Sequence, residues 1–223
     1  MKTLRESLPS VEDVRERIEH VQQEEIRYCL MTAYLYAGRI SEVVGYASQG
    51  DTSVARGPKG NDVRFDVIDG HKTALFSVYT AKRKGQERVV ALPLEFEPWA
   101  LPVAEYFQKA GSNYVFPFSR QFVSRKTKKT FEGFQYPIEQ YKIKQGELVK
   151  VVERHWNPFR LHALRHLRTT ELVRFYHFRA EDLAAYCGWR LRTIARDISP
   201  VMERYIDLSW QEYYPKLLRE RAK

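Results

Sequence analysis

His162, Arg165 and His166 stand at i, i+3 and i+4 in the run Asn157-Pro158-Phe159-Arg160-Leu161-His162-Ala163-Leu164-Arg165-His166-Leu167-Arg168-Thr169-Thr170. Pro158 favours entry to a helix, and Ala163, Leu164 and Leu167 supply an apolar side, so a helix is predicted from about Leu161. On that helix two imidazoles and a guanidinium share one face within a turn. A guanidinium grips two phosphate oxygens in fixed geometry, and an imidazole moves a proton near neutral pH. The set suits chemistry on a phosphodiester. Taken alone, the stretch also reads as a helix with a buried His, a surface Arg and a cationic rim.

The rest of the chain has to position this face. Its 223 residues suffice for one well-buried domain, or one domain plus a small appendage. Lys and Arg number 37 against 28 Asp and Glu, a net charge of +9, which fits a soluble protein that meets a polyanion, nucleic acid first. A merely basic soluble protein has the same balance. Cys29 and Cys187 sit in apolar contexts without metal-ligand spacing, so packing roles in a reducing compartment are expected. No run approaches a membrane span and no signal peptide is seen, which points to a cytoplasmic protein without a membrane partner. The Glu, Lys and Arg content, with few Met and Cys, leans toward a thermophile.

In chain order, Ser10 before Val11-Glu12-Asp13 predicts an N-cap and a helix to Glu19 or His20. A second helix is expected over Glu24–Ala37, stopped by Gly38. Ile40, Val43 and Val44 restart a short helical turn, with Arg39 and Glu42 at i, i+3; the acid either holds that Arg in one rotamer or forms an ordinary surface ion pair. From Val63 to Leu92 the period becomes two: Val63, Phe65 and Val67 alternate, Asp69-Gly70 turns, and strands follow over Thr73–Thr80 and Arg88–Leu92. Between the last two lies the basic turn Lys82-Arg83-Lys84-Gly85-Gln86. Glu97–Lys109 reads as a helix closed by Gly111, with Pro98 and Pro102 confining its regular part to the second half. Tyr114–Phe118 is expected as a buried connector. Over Ser119–Gly133, Arg120, Arg125, Lys126, Lys128 and Lys129 interleave with Phe122 and Phe131, which suits a duplex backbone or a solvated face. Gln135–Ile143 and Leu148–His155 form a hairpin, and Ala180–Tyr186 a helix stopped by Gly188. Ser199-Pro200 starts a short helix carrying Tyr205. Residues 206–223 form an amphipathic tail that packs on its own domain or on a neighbour. The expectation is an α+β domain, mainly helical, with a small three-stranded antiparallel sheet.

Three boxes in order resemble those of the tyrosine recombinases, the phage-type integrases. His162-Ala163-Leu164-Arg165-His166 resembles the family's His-x-Leu-Arg-His box. Tyr36-Ala37-Gly38-Arg39-Ile40-Ser41-Glu42-Val43 resembles Thr-Gly-Leu-Arg-Ile-Ser-Glu-Leu. Cys187-Gly188-Trp189 with Met202-Glu203-Arg204-Tyr205 resembles the Leu-Gly-His/Trp…Tyr box. The resemblance implies the fold shared with type IB topoisomerases and a single catalytic domain over 1–223, without the family's N-terminal core-binding domain. Archaeal and archaeal-virus integrases are the suggested branch, in a prokaryotic host.

The same resemblance implies a site-specific recombinase that cleaves and rejoins DNA through a covalent 3′-phosphotyrosine, without metal, ATP or other cofactor. Tyr205 is the implied nucleophile, Arg39 and Arg165 the phosphate clamps, Trp189 an extra donor and His162 the base. Glu42 and His166 support them. A lysine of the basic turn protonates the leaving oxygen: Lys82 at the strand end is preferred and Lys84 is the alternative, although the family's Gly-Lys-Gly-Asn-Lys-Glu-Arg pattern sets Arg83 at the lysine position. Arg83, Arg120, Arg125, Lys126, Lys128 and Lys129 are the expected DNA contacts. The implied partners are a double-stranded recombination site and further copies on DNA, as dimer or tetramer, with the C-terminal tail as a possible joint. The family's usual spacing falls on Ile198, so Tyr205 stands on a longer tether that would also allow attack in a neighbouring site. A type IB topoisomerase and a non-catalytic DNA-binding module of the same fold are the alternatives.

Overall fold

Ser10 starts the first helix through a reciprocal capping box. Its hydroxyl accepts the Asp13 N–H (3.0 Å), and the Asp13 carboxylate accepts the Ser10 N–H (3.3 Å). This computed structural model describes residues 9–45, 56–79, 87–144, 147–189 and 209–219, and over 136–158 the backbone alone. Helix α1 spans Val11–Glu19 and α2 spans Glu24–Leu35. From Cys29 to Leu35 every residue of α2 is buried, because α1, α4, α5, α6 and the short α3 (Ile40–Val44) all pack on it.

The end of α2 differs from the expected stop. The helix closes at Leu35, and Ala37, not Gly38, takes the left-handed conformation (φ 43°). The Gly38 N–H returns to the Ala33 carbonyl (3.0 Å), satisfying one of the orphan acceptors of the last turn.

Strands β1 (Val63–Ile68), β2 (His71–Tyr79) and β3 (Glu87–Pro93) form an antiparallel sheet in that order. Asp69 and Gly70 both have positive φ (50° and 83°), as a two-residue type I′ turn requires, and Ile68 pairs with His71 across it. Ala74, Phe76 and Val78 with Val90 and Leu92 face the main core, while Leu75 and Ala91 face a smaller cluster closed by Tyr214. Of the alternating set in β1 only Val63 is buried in the core; Phe65 and Val67 are 41% and 65% exposed, so the core does not reach the far end of this strand.

Helix α4 (Ala100–Ala110) is regular from its first residue. Pro102 lies in the first turn, where a backbone N–H needs no helical partner, so it does not confine the helix to its second half. After it, Val115 and Phe116 are buried but Tyr114 is half exposed, its ring beside the Lys59 ammonium (5.4 Å). The basic segment is helix α5 (Arg120–Thr130), capped by the Ser119 hydroxyl on the Phe122 N–H (3.2 Å). Strands β4 (Gln135–Lys144) and β5 (Glu147–Pro158) pair as a long hairpin with an irregularity between Ile138 and Gln140. Pro158 ends β5, and α6 (Leu161–Arg174) begins after Arg160 as its N-cap. Helix α7 (Ala180–Cys187) stops at Gly188, which is left-handed. The tail helix α8 (Trp210–Leu217) packs on α7 and β3 of its own chain. The fold is α+β, mainly helical, with one small three-stranded antiparallel sheet and a two-stranded hairpin. No described helix is long and apolar enough to cross a membrane.

Gly60 sets how closely the start of β1 approaches α4. A Cβ there would lie 2.3 Å from the Phe107 carbonyl oxygen and 2.4 Å from the Gly111 nitrogen, both backbone atoms. Gly60→Ala is expected to cost about 3 kcal/mol of stability in urea unfolding, through overpacking. An unchanged midpoint would show that this approach relaxes freely.

Candidate active site

The two expected clamps meet at one carboxylate. Glu42 is buried in α3, and its side chain accepts from the Arg39 N–H and the Arg39 guanidinium, both at 3.0 Å. Arg88 reaches the same carboxylate at 3.2 Å and Arg165 at 3.7 Å. Burial alone would raise the pKa of Glu42; Arg88, the Arg39 N–H, Arg165 and Arg39 outweigh it and hold the group below the usual carboxylate range.

Backbone carbonyls complete the setting. Arg165 donates to the Ala37 carbonyl (2.6 Å) and the Cys187 carbonyl (3.3 Å). Arg88 donates to the carbonyls of Tyr36 (3.0 Å) and Tyr186. These four acceptors come from the C-terminal ends of α2 and α7, where helices leave carbonyls unpaired and carry partial negative charge. Arg39 keeps 28% of its side chain exposed, whereas Arg165 keeps 4%.

His162 and His166 stand on the open side of α6, their rings edge to face at 4.6 Å. Both pKa values lie below the ordinary histidine value. Burial is the main cause for each; His166, Arg165 and Arg39 add to it for His162, and Arg165 for His166. The shift favours the neutral ring, and a neutral imidazole can accept a proton. Arg165 does not share their open face: its guanidinium turns inward under them. Burial also lowers the Arg165 pKa, to about 10, which leaves it charged at neutral pH. Trp189 is half buried with its ring against that guanidinium (4.9 Å).

Behind this cluster lies a second one. Arg168 is fully buried and bonds Glu97 (2.5 Å) and Glu171 (2.7 Å). Glu171 also takes the Tyr34 hydroxyl (2.5 Å) and Arg15 of α1 (3.3 Å). Arg168 lies within 6 Å of the Tyr34, Tyr176 and Tyr186 ring centres, at 5.5, 5.5 and 5.9 Å. Sequence reasoning assigned no role to Arg88 or Arg168. For Arg88 a signal was present, since it shares strand parity with the core residues Val90 and Leu92.

Among the other expected site residues, Lys82, Arg83, Lys84 and Tyr205 lie outside the described residues. Arg125, Lys128 and Lys129 are exposed on α5 and border a cavity of about 490 Å³ with Phe134. Lys126 lies over the Phe122 ring (5.4 Å), and Arg120 is half buried. Phe131 is not a surface anchor: it is 1% exposed and packs on Phe159 (4.7 Å) and Phe134 (6.1 Å), because it caps α5 where the chain turns into the core. Tyr213 and Tyr214 are buried; the Tyr213 hydroxyl donates to the Val89 carbonyl and accepts the Ala91 N–H, and Tyr214 pairs with the Thr73 hydroxyl. Burial raises both phenol pKa values.

No family model, curated protein or solved structure matches this chain.

In an NMR pH titration both rings should titrate below the free-histidine value of about 6.5. Arg39→Ala should raise the His162 midpoint and leave His166 in place, since Arg39 acts on His162 alone. The folded state disfavours both cations, so their stability contribution is full above the ordinary value and is lost as pH falls toward the folded pKa. Equal responses of the two rings to Arg39→Ala would contradict this geometry.

Proposed function

We propose that the chain is a tyrosine-type DNA strand-transfer enzyme, a site-specific recombinase or integrase with the fold shared by type IB topoisomerases. One observation carries the reading: Arg39 and Arg165 are held on a single buried carboxylate beside the paired imidazoles of His162 and His166. Breaking DNA without losing its bond energy calls for a nucleophile that stays attached to phosphorus. The Tyr205 oxygen attacks, its proton passes to His162, and the phosphorus–O5′ bond breaks while a lysine of the basic turn, Lys82 or Lys84, protonates the leaving oxygen. Negative charge grows on the non-bridging oxygens of the five-coordinate transition state. Arg39 and Arg165 stabilise it, and the Trp189 indole N–H adds a neutral donor. Glu42 fixes both clamps, so they need not reorganise as charge develops. A hydroxyl from another strand reverses the step and completes recombination.

The two clamps differ as test positions. Arg165 ties the ends of α2 and α7 together, so removing it disturbs the fold as well as the chemistry. Arg39 is half exposed and its loss leaves those ties intact. Incubation with nicked duplexes carrying candidate attachment sites should give a covalent adduct on a denaturing gel, mapped to Tyr205 by mass spectrometry. Tyr205→Phe should remove the adduct and keep DNA binding, and Arg39→Ala should slow cleavage by about a hundredfold or more. Binding without any adduct would mark a non-catalytic DNA-binding module. Adducts with plasmid relaxation but no strand exchange would mark a topoisomerase.

Duplex affinity should also fall steeply with salt, and more shallowly after neutralising Arg125, Lys128 and Lys129, because each phosphate contact releases counterions. An affinity flat across a salt titration would remove α5 from the interface.

A further inference from the structure

The sheet has two edges, and described residues close only one of them. At β3 the Tyr213 hydroxyl bonds both the Val89 carbonyl and the Ala91 N–H. Strand β1 lies at the other edge, and no described backbone group pairs with its outer side. Strand pairing decides which groups are left there. The Lys72 carbonyl turns toward β3 and accepts the Leu94 N–H (2.8 Å), so Val67 and Lys72 form a non-hydrogen-bonded pair. Alternation then directs the N–H and C=O of Val63, Phe65 and Val67 outward. The Val67 N–H agrees, being held by the Asp66 carboxylate (2.8 Å) and not by a strand.

The side chains on this edge are equally open. Phe65 and Val67 are exposed on one face, and Arg64 and Asp66 are exposed on the other. Neither Arg64 nor Asp66 makes an ion pair among the described residues. An open strand edge of this kind is a template for another strand.

We infer that β1 is the docking edge for a second copy of this chain, the two strands pairing antiparallel about a twofold axis at Phe65. Charge selects this register. Centring on Arg64 or on Asp66 puts like charges face to face, and centring on Val67 leaves Arg64 without a charged neighbour. Centring on Val63 faces Arg64 with Asp62, which lies in the turn before the strand and is already held by Arg56 and the Lys59 N–H, both at 2.7 Å. Centring on Phe65 sets Arg64 opposite Asp66 of the second copy, twice. It also matches the backbone: Phe65 exchanges both hydrogen bonds with its counterpart, and Val63 does so with Val67. Arg64 and Asp66 then fall on non-hydrogen-bonded positions, where facing side chains come closest. Asp66 passes the Val67 N–H to the Val63 carbonyl of the second copy, and its carboxylate turns to Arg64. The same patch serves both copies, so the assembly closes at two. This inference does not depend on the strand-transfer reading.

Sedimentation equilibrium of the whole chain, without DNA, tests it. The protein should show a monomer–dimer equilibrium, and Arg64→Asp or Asp66→Arg should each weaken it by about tenfold or more, because both facing pairs turn repulsive. Mixing the two variants should restore dimers, since a heteropair has opposite charges at both contacts. Both positions are exposed, and circular dichroism would verify that the variants stay folded. A monomer at millimolar concentration, single variants that dimerise like the original chain, or a mixture that stays monomeric would each overturn the inference.

Discussion

One carboxylate governs the centre of this molecule. Three guanidiniums converge on Glu42, and their mutual repulsion would scatter them if nothing stood between them. The carboxylate cancels part of that charge, and the buried carbonyls left over at the ends of α2 and α7 take up more of it. The arrangement joins α2, α3, β3, α6 and α7 at a point where an ordinary core would place leucines. Removing Glu42 would leave buried cations facing each other, which costs more than any one of the pairs contributes.

Helix α6 is held at two levels, one residue row apart. Arg165 fastens it to the α2–α3 junction and to the end of α7, and Arg168 fastens it to Glu97 and, through Glu171, to α1 and α2. Its open side carries only His162 and His166 near this site, so the imidazoles stand on a support that cannot rotate without breaking both networks. Precision of that kind is what a site stabilising transient charge needs, because loosely held donors spend their effect on reorganisation.

Local signals were legible in the chain, and burial that distant elements decide was not. The Ser10–Asp13 cap, the Asp69-Gly70 turn and the left-handed stop at Gly188 depend on neighbours in sequence, and the residue types state them. The i, i+3 pairing of Arg39 with Glu42 was legible for the same reason. That Glu42 also serves Arg88 and Arg165 was not, since those partners arrive from 46 residues away on β3 and from α6. A buried Arg168 reads as surface because Glu171 at i+3 looks like an ordinary helix pair, and Glu97 arrives from 71 residues away. Phe65 and Phe131 show the converse: an alternating strand residue proved open, and a phenylalanine in a basic run proved buried, because coverage is decided by distant elements. Pro102 read as an obstacle until the helix start fell just before it.

The buried Arg168 network also shapes the response of the protein to heat. Unfolding a purely apolar core exposes surface that raises the heat capacity, which bends the stability curve sharply downward on either side of its maximum. Here unfolding also hydrates two carboxylates and their guanidiniums, and newly exposed polar surface lowers the heat capacity. The curve is flattened accordingly. The cost of keeping those ions dry shrinks as temperature rises, because their hydration grows less favourable. The feature that contributes least in the cold is thus the one whose relative worth increases on warming.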